Sequence, residues 1–155
     1  MYEPDYEGDM KYYQDQLARK GISKEMLDMD QYCGLTRREL QGIVDGARRR
    51  LTIKTDFGEY KGCYLDVGRY VADGSLAVTA MNRTDGVIAR LTVCLDDNEL
   101  RGDEAYIDVN NCPWAVQLLL DTGIAEQTGH VKHSGYVGYP SMKFNIEKLN
   151  ACREV

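Results

Sequence analysis

Leu76-Ala77-Val78-Thr79-Ala80-Met81, Asn82-Arg83-Thr84-Asp85-Gly86 and Val87-Ile88-Ala89-Arg90-Leu91-Thr92-Val93-Cys94-Leu95 follow one another and decide the fold class. Leu76, Val78 and Ala80 alternate on one side of the first run, as Ala89, Leu91, Val93 and Leu95 do on the last. The five residues between them have the Asn, Asp and Gly chemistry of a tight connection. Two period-two runs joined in this way predict an antiparallel hairpin with one face buried and the other wet.

The same texture extends outward. Thr52–Phe57 and Tyr60–Val71, broken near Gly68, read as strands before the hairpin. Ala105–Val109, Thr128–Lys132 and Tyr136–Ile146 read as strands after it, with His133-Ser134-Gly135 as a turn. Pro140 suits an edge strand or a bulge, because proline donates nothing to a ladder. Pro113 opens a helix over Trp114–Asp121 that Gly123 closes, with Trp114 and Leu118 facing the sheet.

Before Leu51 the period is near four. Met10, Tyr13 and Leu17 ahead of Gly21 predict a helix over about 8–20, and Ser23 caps a second, weaker one carrying Met26, Leu27 and Met29. Thr36-Arg37-Arg38-Glu39 has the Thr-x-x-Glu form of a capping box. A helix over 36–50 follows, with Leu40, Ile43, Val44, Ala47 and Leu51 on one face and Arg48-Arg49-Arg50 against the negative end of its dipole. The fold expected is α+β: N-terminal helices on an antiparallel sheet of about five or six strands covered by one helix. The boundaries are a helical segment 1–51, an α+β domain 52–149 and a tail 150–155.

At 155 residues the chain holds one domain, or one with a small appendage. It can bury about 70% of its unfolded surface without metal or disulfide, so stability requires no cofactor. A composition of 43% hydrophobic and 28% charged residues with three prolines excludes disordered, collagenous and coiled-coil classes. The net charge of −6 excludes a basic footprint over the whole molecule. Only 36–50 is locally basic, with five bases to two acids. The longest apolar runs fall far short of the ~18 residues of a membrane span. The acidic start, Met1 to Glu7, lacks the pattern of a secretory signal, which points to the cytoplasm. Five cysteines at 33, 63, 94, 112 and 152, with no Cys-x-x-Cys, spell neither a disulfide framework nor a zinc knuckle.

Few constellations carry chemistry. His130 and His133 lie on opposite faces if their segment is a strand, and no paired cysteines complete a metal site. A nucleophilic pair of Cys63, Cys94 or Cys112 with a histidine is an alternative without a family signature. Arg37, Arg38, Arg48, Arg49 and Arg50 offer a second alternative, a phosphate-gripping helix. Asp96, Asp97, Glu99, Asp103, Glu104 and Asp108 put six acids within thirteen residues, opposed only by Arg101. They form a solvated loop or an acidic strip imitating a phosphate backbone. Eleven tyrosines against two phenylalanines suit an interface, and Tyr2, Tyr6, Tyr12, Tyr13 and Tyr32 crowd the helical part.

One stretch is distinctive beyond its composition. It contains Tyr106-Ile107-Asp108-Val109-Asn110-Asn111, Pro113-Trp114-Ala115, Gly123-Ile124-Ala125-Glu126-Gln127-Thr128-Gly129 and Ser134-Gly135-Tyr136-Val137-Gly138-Tyr139-Pro140. This resembles the bacterial family called domain of unknown function 4313, met in conjugative elements and phages of gut bacteria, over about residues 52–148. His130 stands where relatives often carry Arg, and Tyr136 where Phe is usual. Tyr32 to Leu51 separately looks like helical segments of proteins from the same elements. The resemblance carries over no active site. It implies a small accessory protein of a mobile element.

The function expected is therefore non-enzymatic: binding of a protein partner, in its sharper form a host nuclease or CRISPR effector whose basic groove is blocked. The six acids 96–108 are one candidate surface. Tyr12, Tyr13 and Tyr32 with Arg48, Arg49 and Arg50 are the other. No cofactor, metal or membrane is implied.

Overall fold

The computed structural model describes residues 6–155. Helix α1 (Tyr6–Arg19) and helix α2 (Arg37–Gly46) pack on each other. The expected second helix is instead one turn anchored on the Ser23 carbonyl, followed by a short 3₁₀ turn, Met29–Tyr32, capped by Asp28. Met29 is fully buried and ties this connection to Tyr13, Leu17, Leu40 and Val44 in a small core. Arg37 forks both donors onto the Asp9 carboxylate at 3.0–3.1 Å, and the Tyr13 hydroxyl donates to the Arg37 carbonyl.

The capping box forms as the sequence spells it: the Glu39 amide donates to Thr36 Oγ1, and the Thr36 amide to the Glu39 carboxylate. The far end of this helix needs correction. It stops at Gly46, Ala47 is extended, and Arg48, Arg49 and Arg50 lie outside it. Charge still meets helix ends, but mostly other ones. Arg48 donates to the Asp45 and Ala47 carbonyls, Arg49 to the Thr122 carbonyl behind a later helix, and Arg50 to the Arg153 and Glu154 carbonyls.

Strands β1 (Leu51–Thr55), β2 (Gly58–Arg69), β3 (Leu76–Asn82) and β4 (Gly86–Arg90) make an antiparallel meander in that order. The β3–β4 turn is the expected one, with the Asp85 amide donating to Asn82 Oδ1 at 2.6 Å. The expected single strand 87–95 is in fact divided at Leu91. That residue is fully buried, its amide bonds to Val78 and its carbonyl to Asp108, so the chain passes there between sheets. Strands β5 (Thr92–Val93), β6 (Glu104–Ile107), β7 (Ala125–Ser134) and β8 (Val137–Phe144) form the second sheet, in the order β5-β6-β8-β7. Among the described residues there are thus eight strands in two sheets rather than about five or six in one.

Two helices cover the sheets, not one. α3 (Ala115–Asp121) buries Ala115 and Leu119, and α4 (Ile146–Ala151) buries Leu149 and Ala151. Cys152 is fully buried too, so a tail begins only after it. Trp114 and Leu118 flank the buried face of α3 instead of forming it. Pro140 lies in β8, an interior strand, but one residue beyond the β6 ladder, which ends at Ser141; the missing amide faces no partner there.

Candidate interaction surface

The acidic loop leaves the sheet after β5 and returns at β6. Its Asp97 side chain is 8% exposed and accepts from Lys132 Nζ at 2.7 Å and the Tyr106 hydroxyl at 2.8 Å, both on Oδ2. The Glu99 amide reaches its other oxygen at 3.3 Å. Tyr106 is fully buried, and its oxygen is also 3.1 Å from His130 Nε2. A phenol has one proton, and this one goes to the carboxylate, so the imidazole donates from Nε2. Glu99 Oε2, 3.2 Å from the same nitrogen, shares that donor. Lys132, Asp97, Tyr106, His130 and Glu99 are therefore one connected chain.

A local irregularity in β7 builds it. Gln127 pairs with Met142 and Val131 with Pro140, so the ladder advances four residues on β7 against two on β8. The surplus falls at Thr128-Gly129-His130, with Gly129 at φ +87°, a left-handed conformation that costs a glycine little. Thr128 and Ser141 join hydroxyls across the gap, and Ser141 Oγ donates to the His130 carbonyl at 3.2 Å. The bulge thereby turns His130 toward Tyr106.

The electrostatics follow from this geometry. Burial alone would raise the Asp97 carboxyl, but the donors from Lys132, Tyr106 and the Glu99 amide outweigh it and hold the group below its ordinary range. The same bond to Asp97 raises the Lys132 ammonium. Burial and the neighbouring carboxylates push the Tyr106 phenol far up, so it stays protonated.

The six acids do not form one strip. Asp96 and Glu99 are exposed, and Asp96 adopts a left-handed backbone at φ +50°. Asp103 and Glu104 are half-buried; Glu104 accepts from the Arg101 amide, and Asp103 lies 4.0 Å from Lys143 Nζ. Asp97 turns inward. Asp108 is 9% exposed and accepts from Asn111 through its amide and its side chain.

The aromatic and basic candidates divide as well. Tyr12 is 56% exposed and sits edge-on against Tyr13, which is buried, while Tyr32 is half-buried beside the small core. Tyr2 and the Tyr6 side chain lie outside the described residues. Arg48, Arg49 and Arg50 spend donors on backbone carbonyls, which weakens a phosphate-gripping role for them.

Four of the five thiols are shifted away from the thiolate form. Burial pushes the Cys112 and Cys152 thiols up to about 11 and raises Cys63 and Cys94. Cys112 donates to the Arg90 carbonyl and Cys63 to the Tyr60 carbonyl, not to histidine. Among the described residues no three His, Cys, Asp or Glu side chains are grouped to hold a metal, and no helix is long and apolar enough to cross a membrane. Among the described residues, four open clefts of about 260–520 Å³ have neither cysteine nor histidine in their walls.

These features define a class: an α+β protein of two antiparallel sheets that displays a clamped acidic loop. The chain belongs to the family described as Domain of unknown function (DUF4313), whose model matches residues 64–154. The match starts inside β2 and leaves out α1, α2 and β1. Searches of curated proteins and of solved structures found no match.

The sequence assigned Lys132 no role, carried Tyr106 only as part of the family motif, and offered His130 a cysteine partner instead of the Tyr106 hydroxyl it meets. Gly129 inside a strand signals a bulge. Nothing local says which acid the bulge will face.

Proposed function

We propose that this chain is a non-enzymatic accessory protein of a phage or conjugative element, acting in the cytoplasm by binding a protein partner through the loop 96–104. The observation supporting this is the clamp on Asp97, which holds the loop from within and leaves the neighbouring Asp96 and Glu99 carboxylates outside. A surface fixed before binding loses little entropy on association. A nuclease or CRISPR effector presents Arg and Lys along its nucleic-acid groove, and these meet carboxylates much as they meet phosphates. Blocking such a groove is the sharper form of the reading.

Pull-down from host lysate, repeated with Asp96→Asn/Glu99→Gln and with competing DNA, tests both levels. The expected result is a captured enzyme that DNA displaces and the double variant fails to hold. A partner held equally by the double variant would remove the loop as the surface. Capture indifferent to DNA would remove the groove-blocking form.

A further inference from the structure

The loop that carries Asp96 and Glu99 is tied to a histidine, and the tie is one that can change its charge. His130 Nε2 lies 3.2 Å from Glu99 Oε2 and 3.1 Å from the Tyr106 hydroxyl oxygen. Tyr106 stays protonated and commits its proton to Asp97. The neutral ring therefore carries its own proton on Nε2, and a second proton enters at Nδ1. Among the described residues no hydrogen bond reaches Nδ1, and the side chain is 47% exposed, so the ring exchanges that proton with solvent.

Charged and titratable groups face this ring from each element around it. The loop supplies Asp97 and Glu99, with Asp96 close enough to act on Lys132. β6 supplies Tyr106 and Glu104, β7 supplies Lys132, and on β8 Ser141 bonds the His130 carbonyl while Tyr139 stands opposite Lys132. Lys132 is spent on Asp97 at 2.7 Å, and Glu104 accepts from the Arg101 amide. Glu99 is thus the carboxylate in direct contact with any charge on His130.

With the ring neutral, Glu99 shares one uncharged donor with Tyr106 and stays 64% exposed, open to a cation from outside. With the ring charged, the same contact is an ion pair. Histidine makes this change between about pH 5 and 8. We propose that His130 is a pH-sensitive latch on the acidic loop, which leaves Glu99 to a cationic partner when neutral and takes Glu99 for itself when protonated. The latch rests on the loop being the binding surface, and it adds the regulation of that surface. Linkage makes it reciprocal: a bound cation drives the second proton off the ring.

The probe is a rhodamine-labelled hexa-arginine peptide, followed by fluorescence anisotropy at about pH 8 and about pH 5.5, the span in which histidine changes charge. Wild type should bind about three- to fivefold more weakly at the lower pH, the range an exposed ion pair allows. His130→Gln, which is never charged, binds at both values as wild type does at the higher one. His130→Arg, which is always charged, binds at both as wild type does at the lower one, and His133→Gln keeps the wild-type dependence. A second readout needs no peptide: the carbon-13 resonance of the Glu99 carboxyl moves in step with the His130 ring resonances, and His130→Gln removes that component. Absence of binding at the higher pH would remove the loop as the surface, while the Glu99 resonance still decides the latch. A Glu99 resonance indifferent to the His130 ring overturns the latch, as does a pH dependence of binding that His130→Gln or His130→Arg retains.

Discussion

One proton on Tyr106 sets the roles of four neighbours. Because the phenol stays protonated and donates to Asp97, His130 must donate rather than accept. With its carboxyl titrating lower in the folded chain than unfolded, Asp97 contributes stability above its unfolded value of about 3.9 and loses it as pH falls through the lower folded one. Lys132, shifted upward, contributes below about 10.4 and loses its share as pH rises through the raised value. Asp97→Asn should therefore cost about 1 kcal/mol across the neutral range, the difference between charge-assisted and neutral hydrogen bonds. Urea midpoints should show that gap closing below about pH 4; an equal gap at pH 7 and pH 3 would contradict the ionic account. The thiols offer a second check at this scale. Cys33 is exposed, whereas Cys63, Cys112 and Cys152 are buried, so native protein should label fastest with a thiol reagent at Cys33 and slowly at those three until unfolded. Rapid labelling of Cys112 at pH 7 would revive the nucleophile reading.

At the scale of elements, the ends marked by Gly21 and Gly123 were legible, and the end of α2 was not. The Thr36 capping box is local, using atoms three residues apart, and it forms as read. Thr36→Ala should cost about 1 kcal/mol, as loss of such a cap does, with the thermal midpoint as the measure. The early end of α2 has no such local mark. Arg48, Arg49 and Arg50 are drawn to carbonyls, two sets of which lie on elements more than seventy residues away, and an extended backbone lets each reach its own. Gly21 sits at this junction with φ +77°, and a Cβ there would come within 2.9 Å of the Arg49 guanidinium. Gly21→Ala should thus cost about 1–2 kcal/mol in backbone strain alone, and further by displacing Arg49 from Thr122. A Gly21→Ala variant as stable as wild type in urea would show that this junction is loose.

Among the described residues there are two cores of unequal size, seven buried residues in the helical part and nineteen around the sheets, α3 and α4. They meet through polar contacts such as the Arg49 amide to the Ala151 carbonyl. A small core is the weaker, so amides of α1 and α2 should exchange with deuterium well ahead of those in β2, β3, β6 and β8. Leu17→Ala, removing a fully buried side chain at a cost of about 2–5 kcal/mol, should accelerate exchange in the helices and leave the sheets nearly unchanged. Uniform acceleration would mean the cores unfold as one.

Features carried by near neighbours could be read from residue order. The period-two runs made the β3–β4 hairpin, the change of period at Leu51 separated helices from strands, and the Ala105–Pro140 motifs pointed to the family. Only folding settled that the strand read through Leu91 turns between two sheets, that Asp97 meets Lys132 and Tyr106, and that Trp114 packs half-buried at the margin of the core. The physical reason is range. A turn or cap is satisfied by atoms a few residues away, whereas a buried carboxylate or a bend at a buried leucine is stabilised by groups that folding alone brings together.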